Sequence, residues 1–179
     1  RLLHLTLSVR VSFPHIQYVD ASHQLHDNCK GHTGSILTFG CGATTSSSNK
    51  HKVPAKSSCE SELIGLYDKL GDVLWTRHFL EAHGYEINTN IVYQDNMSTL
   101  SLAKNGHISS SKCTKHIKAK YFFIKHYHNS GDIDLQYCPT EQMWADVLTK
   151  PLQGIKFRLM RSFLMNCPVN YSDPSAFRL

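Results

Sequence analysis

The sequence predicts an α/β fold in which a mixed sheet is covered by helices on both faces. Three observations predict it. Strand-like stretches at residues 15–21 and 35–40 precede any helical pattern. A run of leucines at helical spacing then fills residues 57–83, and from there to residue 138 strand-like and helix-like stretches alternate. From this order alone several nucleotide-handling folds remain possible, and individual residues must decide between them.

Each element has its own signal. In residues 15–21, Ile16, Tyr18 and Asp20 alternate with Gln17 and Val19, the period of a strand. Gly31 and Gly34 bracket a turn before SILTFG at 35–40, and a weaker third strand falls within 43–50. These three read as an antiparallel meander with Asp20 on its first strand. Ser57 followed by Glu60 is a capping-box pattern that opens a long helix. Leu63, Leu66, Leu70, Val73 and Leu74 recur along it, and His83-Gly84 ends it. Gly65 and Gly71 each weaken that helix by about 1 kcal/mol relative to alanine, which hints at close helix–sheet packing. NIVYQDN at 90–96 is a compact strand of β-branched and aromatic residues. A short helix at 98–103, a loop at 105–112, a helix at 114–128 and a strand at 132–138 follow. Thr140 is placed to cap a final helix, with Glu141 at its positive end, and Pro151 breaks that helix before a second piece at 155–165.

The composition bounds the function. A chain of 179 residues forms one domain with ragged ends and buries roughly two-thirds of its unfolded surface without a metal or disulfide staple. It has no run of eighteen apolar residues, which excludes a membrane-spanning helix. It opens RLLHLTLSV, without methionine or the pattern of a signal peptide, and reads as a piece of a longer polypeptide. The six cysteines are scattered with no CxxC pair, as expected of reduced thiols in an intracellular compartment. Net charge is +5, unevenly spread: residues 96–131 contain no Asp or Glu but hold six lysines and four histidines. A block of that kind suits a polyanion or, equally, a solvated helix face.

Four carboxylates fall in four different predicted elements. Asp20 lies in the first strand, Glu62 on the opening turns of the long helix, Asp95 at the end of a later strand and Asp146 early in the last helix. Hydrolysis at neutral pH needs charge stabilisation on attacking and leaving oxygens, which two Mg²⁺ ions roughly 3.5–4 Å apart supply. Magnesium prefers carboxylate and water oxygens, and clustered acids resist joint ionisation without a cation. Taken singly, an Asp at a strand end is more often a turn former and a helical Glu a solvated residue. The sequence around all four raises them together.

YVDAS at 18–22, GHTGSILTFG at 31–40 and SSCESELIGL at 57–66 resemble the RNase H region of copia-type retrotransposon Pol polyproteins. So do VYQDNMSTLSL at 92–102, KHIKAKYFFI at 115–124 and YCPTEQMWADVLTKPLQG at 137–154, in the family's order and covering residues 14–165. The resemblance implies an RNase H-like fold, a five-stranded mixed sheet flanked by helices, with 1–13 an extension from a preceding polymerase or connection region, 14–166 the domain and 167–179 a tail. It implies hydrolysis of the RNA strand of RNA–DNA hybrids during reverse transcription, beside the reverse transcriptase domain of the same polyprotein, in the cytoplasm or in virus-like particles. Asp20, Glu62, Asp95 and Asp146 take the catalytic and metal-binding positions, holding two Mg²⁺ ions with Mn²⁺ as a substitute. Glu60, two residues before Glu62, projects some 200° away around the helix and cannot share its face. The chain departs from the family at Cys59 (commonly Thr), Lys118 (commonly Asp) and Phe122 (commonly His).

Other residues admit readings beside this one. Lys112, Lys115, His116 and Lys120 suit the phosphate track of a hybrid, because phosphate contacts fix register without reading sequence. His107 or His116 is a candidate to assist product release by moving protons near the metals, and the sequence does not choose between them. His23, His26, Cys29 and His32 recur every third residue, a spacing of no standard zinc site, and read as polar loop residues. Trp75 and Trp144 read as core or half-buried packing. A catalytically silent RNase H-fold module that binds hybrid or supports the polymerase is the alternative function. A transposase or integrase would carry its acids in the order Asp, Asp, Glu, whereas here the Glu comes second.

Overall fold

The computed structural model describes residues 12–105 and 115–167. Strands β1 (Ser12–Ser22), β2 (His32–Thr38) and β3 (Thr45–Lys50) form the antiparallel meander. Helix α1 (Ser58–Ala82) crosses the sheet to β4 (Glu86–Gln94), after which α2 (Met97–Asn105) and α3 (Lys115–Asn129) lead to β5 (Asp134–Tyr137). Two short 3-10 turns, Thr140–Gln142 and Trp144–Leu148, and helix α4 (Gly154–Met165) complete the described chain. The strand order is β3-β2-β1-β4-β5, antiparallel between β1, β2 and β3 and parallel between β1, β4 and β5. This is the mixed sheet that the element order predicts, with the five strands that the resemblance implies.

Ser57 caps α1, its hydroxyl accepting from the Glu60 N–H at 3.2 Å, and the helix stops at His83 with Gly84 in the left-handed region. The leucine stripe of α1 enters a core with Val19 of β1, Val92 of β4, Leu135 of β5, and Tyr121 and Ile124 of α3. Gly65 is where helix and sheet touch, since a Cβ there would lie 2.9 Å from Thr33 Oγ1. Gly71 has open space around it, so the packing inferred for it from the sequence does not occur. Among the described residues, no helix is long and apolar enough to cross a membrane.

The opposite face of the sheet is covered differently. The helix expected to start at Thr140 is replaced by the two 3-10 turns, and Thr140 provides no cap. The reason is a backbone contact. Gly34 of β2 lies against Ala145, Leu148 and Thr149, where an added Cβ would come within 2.8–2.9 Å of each. The Leu148 carbonyl accepts from Ser48 Oγ at 2.8 Å, drawing the turn onto the sheet instead of into a continuing α-helix. A small cluster of Cys138, Met143 and Ala145, with Tyr18 and Tyr93 beside it, fills this face. Trp144 stacks on Phe163 of α4 at 4.4 Å, in keeping with half-buried packing. Trp75 departs from that expectation: it is 65% exposed on the flank of α1 toward β3, stacked on Phe79.

Candidate active site

One end of the sheet gathers acids from three elements. Asp20 sits near the end of β1, directly opposite Gly34 in the β1–β2 register, and Asp95 immediately follows β4, the parallel neighbour of β1. Glu62 projects from the second turn of α1, whose first turns are tied to the same strand end by a bond from Ser61 Oγ to the Ser22 carbonyl. The three carboxylates each offer an oxygen, and these oxygens lie within 4.8 Å of one another. Among the described residues this is the one group of three His, Cys, Asp or Glu side chains that converges so closely.

Asp20 and Glu62 are buried. Burial, reinforced by the charges of Asp20 and Asp95, pushes the Glu62 carboxyl up to about 9. Asp20 is also raised, chiefly by burial, against the opposing pull of Thr149 and Lys150. Glu62 so placed holds its proton until a cation arrives. Three clustered carboxylate oxygens are a donor set for a hard divalent cation such as Mg²⁺, which would remove the like-charge penalty. The site fits the ion that the sequence implies.

A surrounding shell fixes the acids. Gln94 donates from Nε2 to Glu62 Oε2 at 3.3 Å, while its Oε1 accepts from the N–H groups of Asp95 and Asn96. The Thr140 hydroxyl, freed from capping, donates to Asp95 Oδ2 at 3.1 Å. The Thr149 hydroxyl donates to Asp20 Oδ2. Glu60 accepts from the Lys56 N–H at 2.7 Å and is not one of the three converging acids.

Asp146 stands beside this group rather than in it. It lies on the second 3-10 turn, not on the helix expected from the sequence, and is fully buried. Lys150 donates to its Oδ1 at 2.6 Å and Lys156 to its Oδ2 at 2.9 Å. Lys150 also approaches Asp20 Oδ1 at 3.6 Å, so its ammonium bridges the two aspartates. Burial works against that ammonium, but the bond to Asp146 and the neighbouring carboxylates outweigh it and raise its pKa. Lys150, Lys156, Thr149 and Gln94 were not among the predicted site residues. The first and third of these stand in the TKPL stretch, whose pattern marked the family without indicating what they touch.

Of the predicted nucleic-acid residues, Lys120 has its ammonium 3.1 Å from Asp68 Oδ1 and over the Tyr67 ring. Lys115 and His116 open α3, with side chains outside the described residues, and Lys112 and His107 lie wholly outside them. In the β1–β2 loop region, His26 Nε2 lies 3.1 Å from His32 Nδ1, and His32 Nε2 lies 2.7 Å from Ser48 Oγ.

The fold is RNase H-like. LC11-RNase H1, isolated from compost by a metagenomic approach, superposes with a TM-score of 0.55 at 18% identity, covering 75% of this chain and 91% of that one. The same protein in complex with RNA/DNA hybrid also scores 0.55, at 16% identity over 75% of this chain and 92% of that one. The N-terminal RNase H domain of rv2228c from Mycobacterium tuberculosis scores 0.51, at 13% identity over 77% and 91%. The chain's homologues are retrovirus-related Pol polyproteins of plant copia-type transposons. That of transposon TNT 1-94 from Nicotiana tabacum is 30% identical over 138 residues, covering 77% of this chain and 10% of the relative. That of transposon RE2 from Arabidopsis thaliana is 29% identical over 126 residues, covering 70% and 8%. The chain thus spans about a tenth of the length of the curated relatives it matches. No protein-family model matches it.

Proposed function

We propose that the chain is the ribonuclease H of a retrotransposon Pol polyprotein and hydrolyses the RNA strand of RNA–DNA hybrids during reverse transcription. The observation that carries this reading is the convergence of Asp20, Glu62 and Asp95 from a strand, a helix and the end of a second strand, with Asp20 and Glu62 buried. The catalytic unit is residues 14–166, with 1–13 an extension and 167–179 a tail, working beside the reverse transcriptase domain in the cytoplasm or in virus-like particles.

Asp20, Glu62, Asp95 and Asp146 are the residues that would hold two Mg²⁺ ions, or Mn²⁺ in their place. When bound, such ions supply an activated water and neutralise charge on the leaving oxygen. The chain's own groups prepare the place. Gln94 orients Glu62, Thr140 orients Asp95 and Thr149 orients Asp20, each through a hydrogen bond. Outer partners of this kind typically change metal affinity or activity 10–100-fold when removed. Lys150 holds Asp20 and Asp146 together and counters their charge. Lys112, Lys115, His116 and Lys120 form the phosphate track. Lys120 engages Asp68 and the Tyr67 ring, and a phosphate on it would compete with both contacts.

One observation favours a second reading, the catalytically silent module that binds hybrid: two lysines engage Asp146, and it stands outside the group of three. Cleavage of a hybrid labelled on its RNA strand, with Mg²⁺, Mn²⁺ or chelator, separates the two. Metal-dependent loss of the RNA strand alone, abolished by Asp95→Asn, is the expected result. Folded protein that binds hybrid and leaves both strands intact in either metal would establish the silent module.

A further inference from the structure

The flank of α1 that faces β3 is uncovered. β3 is an edge strand of small polar residues, TSSSNK, exposed along nearly its whole length. Between it and α1 runs a furrow with two cavities. The first, of about 320 Å³, is lined by Gln17, Ser35, Ser46, Ser47, Thr76 and the exposed indole of Trp75. The second, of about 500 Å³, lies by the opposite end of β3 and earlier turns of α1, with Lys50, Lys52, Tyr67, Asp68 and Phe123 among its walls.

Two features of the first cavity point to a ligand. Gln17 is only 2% exposed, yet its Oε1 has no hydrogen-bond partner, and an amide buried in this way ordinarily finds one. Trp75 offers a flat aromatic surface at the same cavity, backed by Phe79 at 5.2 Å with the rings 17° from parallel. A planar group with an N–H at its edge would stack on one and donate to the other. The second cavity adds charge. Asp68 is held by Lys120 and Asp72 by Lys69, while among the described residues Lys50 and Lys52 have no acidic partner. Lys50 shares the sheet face of Ser48, whose hydroxyl bonds the Leu148 carbonyl on the far side, so Lys52, beyond the strand, is the lysine that faces the furrow.

We propose that this furrow binds a single-stranded polynucleotide, with an unpaired base stacked on Trp75 and bonded to Gln17, and with a neighbouring phosphate on Lys52. Stacking on an aromatic platform beside a cationic track is how proteins hold single strands without reading sequence, because every base has a π-face. The primary amide serves that tolerance, carrying both donors and an acceptor. Glu62 and Trp75 are thirteen residues apart on α1, about 20 Å, so the furrow is separate from the acids and does not rest on the nuclease reading.

Trp75 reports on its own site. In a Trp144→Phe background, with chelator present so that no strand is cut, its fluorescence is titrated with a twelve-nucleotide oligothymidylate and a twelve-nucleotide oligoadenylate RNA. Both should quench it. Gln17→Leu should weaken binding about tenfold, within the range for losing one base contact. Replacing Lys52 with alanine should flatten the dependence of log affinity on log salt by about 0.7, one phosphate, whereas Lys50→Ala should leave it as in the parent. Asp95→Asn should bind like the parent. Unquenched emission with either strand overturns the proposal and leaves the open β3 edge as a surface for protein docking. Quenching indifferent to both Gln17→Leu and Lys52→Ala, or lost in Asp95→Asn, overturns it as well.

Discussion

The two faces of the sheet bring their acids to the same end by different means. On the α1 face, Glu62 rides a 25-residue helix whose leucines enter a core spanning three helices and three strands. On the other face, Asp146 rides a five-residue 3-10 turn over a cluster of three buried residues, and α4 is attached mainly through Met160 and Phe163. The first face positions its acid by packing, the second by hydrogen bonds and ion pairs. The difference teaches that stability and site geometry are separable in this protein, and that each can be broken alone.

The largest effect should come from the packed face. Leu66→Ala removes a fully buried side chain from the main core and should lower stability by about 2–5 kcal/mol, read from chemical denaturation. Cleavage by the fraction that remains folded should change little. On the thin face, Gly34→Ala forces a Cβ against the Ala145 carbonyl and the Leu148 and Thr149 side chains, costing about 1–3 kcal/mol. Here activity should fall further than stability does, because the turn carrying Asp146 and Thr149 must move. Equal loss of both quantities in the two variants would erase the distinction between the faces.

Two smaller effects sharpen it. Thr149→Val deletes the bond to Asp20 while keeping the side chain's shape, and should weaken divalent-cation affinity about 10–100-fold with little change in the melting temperature. His15, wholly buried on the packed face, has its pKa lowered by burial, against the raising effect of Asn90. Its contribution is therefore complete above the ordinary histidine range near 6.5. It is lost as pH falls, because the unfolded chain then binds a proton that the folded chain refuses. Denaturation midpoints should decline from pH 7.5 to 5.5, and less steeply in His15→Gln.

The sequence was informative where periodic burial governs. The meander, α1 with its Ser57 cap and the alternation that follows all carry periodicities of two or 3.6, and the structure follows them with shifts at the ends. Residues 140–148 carried a misleading signal. Thr140, Glu141 and Ala145 are good helix-start and helix-interior residues, but contact with Gly34 and the Ser48 bond override that preference. Trp75 was misjudged for a related reason. It lies five residues beyond Leu70, about 140° around the helix from the buried stripe, which places it outside. Lys150 and Lys156 were not found because nothing local distinguishes a lysine that turns back onto a buried aspartate from one in solvent. Of the acids, the family resemblance of the sequence around them singled out four, and the fold brings three to one point with the fourth beside them.

The central claim is that Asp20, Glu62 and Asp95 form one site for a divalent cation. Calorimetric titration of the full chain with Mn²⁺, repeated with Asp95→Asn across pH 6 to 8.5, tests it most directly. Because Glu62 is held protonated up to about 9, binding must displace a proton, and affinity should rise through that pH range. The asparagine variant should lose most of the heat while keeping its fold. Binding that is unchanged in the variant and flat with pH would contradict the account.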